Sequence, residues 1–246
     1  MGRKDMREKK SNYKGRIIVA LDTPDLGFAK KLVRILKDEI KIFKVGSELM
    51  TAHGPRAVRT VLELGAEVFL DLKFHDIPNT VAQATRAAVR LGICMLNLHV
   101  AGGLQMMQEA CIASADEARR NNLKPPKLLG VTLLTSLSDE EVHEEIGLPK
   151  SINRIAVQYA QLAQKAGLDG VVSSALEARK IKTQCGPNFL VVSPGIRPEW
   201  AGRDDQRRVL SPREAFELGA SYIVIGRPIT EADDPGKAIR QISRSL

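Results

Sequence analysis

Residues 67–99 read EVFLDLKFHDIPNTVAQATRAAVRLGICMLNLH. Two short β-rich runs, Glu67–Lys73 and Cys94–His99, bracket Val81–Leu91, where apolar residues recur at helical spacing. Gly92 closes the helix and opens the second run. Both runs are apolar almost throughout and turn polar only at their ends, as expected for strands covered on both faces. Strand, helix and parallel strand form one βαβ unit, so the stretch predicts a parallel sheet.

The same rhythm extends in both directions. Further strands are predicted at Arg16–Asp22, Ile40–Val45, Lys127–Leu134, Asp169–Ser173, Phe189–Ser193 and Ser221–Gly226. Helical patterns include Leu26–Lys37, Met106–Arg120, Ile152–Ala166 and Ala175–Thr183. Gly65, Gly167 and Gly219 repeat the role of Gly92 between helix and strand. Eight such units in 246 residues match a (β/α)8 TIM barrel of the α/β class. An open doubly wound sheet competes, but neither GxGxxG nor GxxxxGK[ST] occurs. The reading is one barrel domain over 15–246, preceded by a basic, flexible tail over 1–14.

The formal charge is +8, from 37 Lys and Arg against 29 Asp and Glu. Residues 1–14 hold six basic and two acidic side chains, half of that excess. Four arginines and two aspartates share 203–213. Only 4 % of residues are aromatic and no basic helix carries stacking rings, so nucleic-acid binding is not expected. Cys94, Cys111 and Cys185 are odd in number and far apart. They suit a reducing cytoplasm rather than a disulfide or zinc scaffold. No membrane span and no secretory signal are expected, since no apolar run is long enough and charge begins at Arg3.

In a barrel of this kind the reactive groups collect at the C-terminal ends of the strands. Those ends offer Asp22, Lys44, Asp71 with Lys73, His99, Thr132 with Thr135, and Ser173. Regular alternation would point Asp71 and Lys73 to the same side, and Lys44 on the neighbouring strand can reach Asp71. An alternating Lys–Asp–Lys–Asp array with Asp76 favours the ammonium form of its lysines. That suits a positioned proton donor better than a Schiff-base amine, which needs a lowered pKa.

The loops after strands 7 and 8, SPGIRP and IGRP, offer Gly195, Arg197, Gly226 and Arg227 as a phosphate seat. The polar stretch 197–212 reads as a lid with Gly202 as a hinge. The four histidines have no metal-ligand spacing, and no metal site is expected. His99 is expected as a hydrogen-bonded core histidine, Cys94 as inert packing inside a strand, and Met106 with Met107 as core.

The segments VALD, KVG, DLKFHDIPNT, NLHVAGG, VTLLTS, GLDGVVSS, SPGIRP, DDQRR and VIGRPIT run in order from about Ile17 onward. Together they closely resemble the orotidine 5′-monophosphate decarboxylase family, with DLKFHDIPNT the most specific. The resemblance implies conversion of orotidine monophosphate to uridine monophosphate and carbon dioxide, the last step of pyrimidine synthesis. It also implies a homodimer of barrels that uses neither metal nor organic cofactor. By position, Lys73 resembles the proton donor to C6 and Asp71 the carboxylate beside the leaving CO2. Lys44 resembles the link from Asp71 to the ribose, and Asp22 the group that holds a ribose hydroxyl. Asp76 and Thr80 resemble residues lent across the dimer. Thr135 resembles the pyrimidine contact, Arg197 and Gln206 the phosphate loop, and Gly226 with Arg227 the phosphate seat.

A second reading is a magnesium-dependent sugar-phosphate decarboxylase or lyase of the related barrels, which share DxKxxD. In those barrels the end of strand 2 resembles a metal-binding glutamate; here it is Lys44, a cation that would repel magnesium.

Overall fold

The computed structural model describes residues 14–149, 151–201 and 209–246. The basic segment 1–13, Gln206 and the proposed hinge Gly202 lie outside them. Eight parallel strands close into a barrel in sequence order: β1 Ile17–Ala20, β2 Ile42–Gly46, β3 Glu67–Phe74, β4 Met95–His99, β5 Lys127–Val131, β6 Gly170–Val172, β7 Leu190–Ser193 and β8 Tyr222–Ile225. Closure is direct, because Ile17, Ile18 and Val19 pair with Ile223, Val224 and Ile225. This pairing removes the open-sheet alternative.

Strand alternation sorts the apolar residues into two layers. Ile18, Ala20, Ile42, Phe69, Met95, Leu129, Val131, Val172, Val192 and Val224 fill the barrel interior. Their neighbours along the strands, among them Val19, Phe43, Val45, Leu70, Leu96, Val171 and Ile225, face the helices. Both faces are therefore apolar, and the sequence runs read continuous rather than alternating.

The helical layer follows the expected segments and adds others. Leu26–Leu36 starts at Asp25, whose carboxylate accepts from the N–H groups of Gly27 and Phe28. Ser138 and Ser211 form capping boxes at the starts of Asp139–Glu144 and Pro212–Glu217. Ser47–His53, Pro55–Glu63, Arg227–Thr230 and Pro235–Ser245 complete the layer. Gly65, Gly92, Gly167 and Gly219 all take positive φ, between 79° and 107°, so the chain turns from helix to strand where a side chain would be strained. Cys94 stands one residue ahead of β4 rather than within it, and its thiol donates to the carbonyl of Val68. Met106 and Met107 are buried in the core. No helix among the described residues is long and apolar enough to cross a membrane.

The interior is apolar only up to a level. On β2 the inward residue after Ile42 is Lys44, on β3 Phe69 is followed by Asp71, and on β4 Met95 is followed by Asn97. Three adjacent strands thus change from apolar to polar, Lys44 beside Phe69 and Asp71 one inward position further on beside Gly46, and the change marks the floor of a site.

Candidate active site

Above that floor lies a cavity of about 530 Å3. Asp22, Lys44, Asp71, Lys73, Thr135, Arg197, Gly226 and Arg227 all line it. They come from six of the eight strand ends, a convergence that the barrel imposes on residues far apart in sequence. Asp76 and Thr80 are exposed and lie outside the lining of this cavity. Asp76 instead accepts the N–H of Ile77, at the entrance to helix Pro78–Arg90. Ile77 beside it is 66 % exposed, which leaves this edge open to another surface.

The charged side chains form a continuous chain. Asp22 Oδ1 lies 2.8 Å from Lys44 Nζ, which lies 3.1 Å from Asp71 Oδ2, and Asp71 Oδ1 lies 2.7 Å from Lys73 Nζ. Lys44 and Asp71 are buried, whereas Lys73 reaches into the cavity with 34 % of its side chain exposed. Gly46 makes room for this chain: a Cβ there would stand 3.0 Å from Lys44 Nζ and 3.1 Å from Asp22 Oδ1.

Burial raises the carboxyl of Asp71, but Lys44, Lys73 and the bond from Asn97 outweigh it and hold its pKa below the ordinary 3.8. Burial likewise opposes the charge of Lys44, and Asp71 and Asp22 overcome it, so its pKa stands above 10.5. The signs give a stability window. The Asp71 contribution is present above its unfolded pKa and is lost as pH falls through the lower folded value. The Lys44 contribution is present below its unfolded pKa and is lost as pH rises through the higher folded value. Asp71→Asn is therefore expected to lower the melting temperature at neutral pH. That deficit should shrink below about pH 4 as the wild-type carboxylate protonates. A pH series of thermal melts on both proteins checks this, and a deficit that stays constant into acid would count against it.

β3 departs from the regular alternation that the sequence suggests. Leu70 pairs with Leu96, but the next pair is Phe74 with Leu98. Asp71, Leu72 and Lys73 therefore oppose the single residue Asn97, and Lys73 adopts a φ of 51°. Asp71 and Lys73 converge through this bulge rather than by a straight two-residue spacing. The sequence reading missed Asn97, which is fully buried, donates to Asp71 Oδ1 at 2.6 Å and accepts the N–H of Lys73 at 2.8 Å. Its signal was an amide within the apolar run MLNLH, where an unpaired polar group would be costly. Glu231 also lines the cavity, and nothing in its spacing marked it.

His99 differs from the hydrogen-bonded core residue expected. It is half-buried, with its ring 5.3 Å from that of His75. Burial, His75 and Lys73 together lower its pKa against the pull of Asp71. The thiols fit inert packing: burial pushes Cys94 up to about 12 and Cys111 up to about 11. No group of three or more potential metal ligands occurs among the described residues.

At the far side of the cavity Ile196 bridges to Leu210, and the Arg197 N–H donates to the Leu210 carbonyl. The polar loop is thus pinned at its base, and Arg197 is buried against the cavity. A second hollow of about 540 Å3, between Ile152–Ala166 and Ala175–Cys185, is lined by helix residues such as Arg154, Arg179 and Thr183. It gathers no carboxylate or histidine for acid–base chemistry.

Comparison with known proteins bears on the arrangement directly. Residues 15–242 match the model of the Orotidine 5′-phosphate decarboxylase / HUMPS family. The chain belongs to that family. An orotidine 5′-phosphate decarboxylase of Moorella thermoacetica is 53 % identical over 233 residues, covering 95 % of this chain and 92 % of that protein. One from Pelobacter propionicus is 48 % identical, covering 92 % and 93 %. The crystal structure of orotidine 5′-phosphate decarboxylase from Lactobacillus acidophilus superposes with a TM-score of 0.80 at 36 % identity, covering 94 % of this chain and 98 % of that one. The enzyme from Pyrococcus horikoshii, at 23 % identity, shares the fold with a TM-score of 0.71 over 92 % of this chain and 97 % of that one.

Proposed function

We propose that this protein decarboxylates orotidine 5′-monophosphate to uridine 5′-monophosphate and CO2, the last step of pyrimidine synthesis, with Lys73 as the acid. The observation that carries the reading is the Lys44–Asp71–Lys73 chain at the cavity floor, in a member of this family. Breaking the bond between C6 and the carboxylate releases CO2 and leaves an electron pair on C6. The Lys73 ammonium stabilises that developing charge and delivers its proton to C6, becoming a neutral amine. Charge already in place where charge develops is usually the largest catalytic contribution, because nothing must reorganise during the reaction. Asp71 fixes Lys73 and lies beside the departing carboxylate, while Lys44 ties Asp71 to Asp22 at the ribose.

Arg197, Gly226 and Arg227 take the phosphate, with Gln206 from the adjoining loop, and Thr135 meets the pyrimidine edge. Asp76 and Thr80 complete the site of a second copy in a homodimer, which accounts for their exposure beside Ile77. The reaction needs no metal or organic cofactor and takes place in the cytoplasm. The magnesium-dependent reading fares worse on charge: Lys44 Nζ already sits between Asp22 and Asp71, where a bridging cation would have to bind.

Substrate choice tests the reading. Purified protein is expected to convert orotidine monophosphate, followed by the change in pyrimidine absorbance, and to handle unphosphorylated orotidine far more slowly. Phosphate gripped away from C6 supplies binding free energy for orientation at C6. Equal turnover of both substrates, or turnover of a sugar phosphate instead, would contradict it.

A further inference from the structure

We infer that Asn97 is the positioning residue of this reaction centre, clamping the backbone of Lys73 and the carboxylate of Asp71 with one amide. The inference rests on the reading of Lys73 and Asp71 as the reacting pair.

Three residues of β3 face one of β4 at this level, so the ladder cannot serve the backbone groups of the bulge. Asn97 replaces it. The Lys73 N–H can only donate and the ionised Asp71 carboxylate can only accept. These partners fix the amide orientation, with Oδ1 on Lys73 and Nδ2 on Asp71. Aspartate offers no donor, leucine offers neither group, and serine is too short to span both. An asparagine is the economical solution for a fully buried position.

The clamp has strain to hold. A non-glycine residue at φ 51° is strained, and the conformation persists only where the surrounding structure enforces it. With the Lys73 amide released, the backbone can relax toward ordinary strand geometry and swing the side chain away from C6. Asp71 would keep its pair with Lys44, and His99 on β4 also feels its charge. Removal of the Asn97 donor therefore raises the Asp71 pKa without abolishing its charge at neutral pH.

Asn97→Ala is expected to lower kcat about 10²-fold, the typical penalty for a misplaced reacting group. Affinity for uridine monophosphate should stay within about threefold, since the phosphate and ribose contacts are untouched. The acid limb of kcat should also move to higher pH. A folded Asn97→Ala enzyme with kcat within about threefold of wild type overturns the inference. So does a loss of kcat matched by an equal loss of product affinity. Asn97→Asp, of the same size, keeps the acceptor for Lys73 but sets a carboxylate against Asp71, and it carries the test where the alanine variant does not fold. It too should lose kcat and keep product affinity; wild-type turnover from it overturns the inference, as does misfolding of both variants. Failure of the underlying reading looks different, because Lys73→Ala would then retain turnover whatever Asn97 does.

Discussion

Lys73→Ala is expected to reduce kcat by at least about 10³-fold while the barrel remains folded. In the proposed mechanism the side chain combines two roles, stabilising charge at C6 and donating the proton, and alanine removes both. Stability should change little, because Lys73 is partly exposed and its ion-pair partner, Asp71, keeps Lys44. Product affinity should also survive, since the proposed phosphate seat at Arg197 and Arg227 lies on other loops. Retention of more than about a tenth of kcat corresponds to under about 1.4 kcal/mol of barrier and is too small for a proton donor. Such a result would remove Lys73 from the chemistry, even if the protein turned out to be the right decarboxylase.

The second large effect is recovery rather than loss. Asp76 and Thr80 do not line the cavity of their own chain, although they follow Lys73 closely in sequence. If they serve a second copy, Lys73→Ala and Asp76→Ala chains are each inactive alone. A mixed dimer, however, contains one site with an intact Lys73 and an intact Asp76 from the other chain. Random exchange between equal amounts makes half the dimers mixed, with half their sites intact, so about a quarter of wild-type activity should return. Zero recovery despite demonstrated subunit exchange would place Asp76 in its own site or nowhere near the reaction. The segment is well anchored for such a task. Pro78 opens the helix that carries Thr80, and Arg90 at its end pairs with Glu117 of the next helix at 2.8 Å.

Much of this was legible in the order of residues. Runs such as IIVAL and VFLDL are apolar on both faces because the barrel interior and the helix layer each need one, and glycines at helix ends mark the turns between them. Strand-end charge is equally visible, since a buried file that ends in Lys44 or Asp71 must pair or bind something. The bulge in β3 was not legible. Nothing in DLKFHDIPNT declares that Lys73 takes a left-handed backbone, because the cause lies across the sheet in Asn97, 24 residues away. The same holds for Gly46, whose missing Cβ matters only once Lys44 and Asp22 meet above it. Pairings between strands are tertiary facts, and a single sequence displays only one side of each.

The most direct measurement follows CO2 release from carboxyl-labelled orotidine monophosphate by the purified wild-type protein and its Lys73→Ala variant, with and without EDTA. The expected result is rapid release by the wild type, unchanged by EDTA, and almost none by the variant. Release that EDTA abolishes and magnesium restores, or that survives the loss of Lys73, would contradict the Lys73 mechanism.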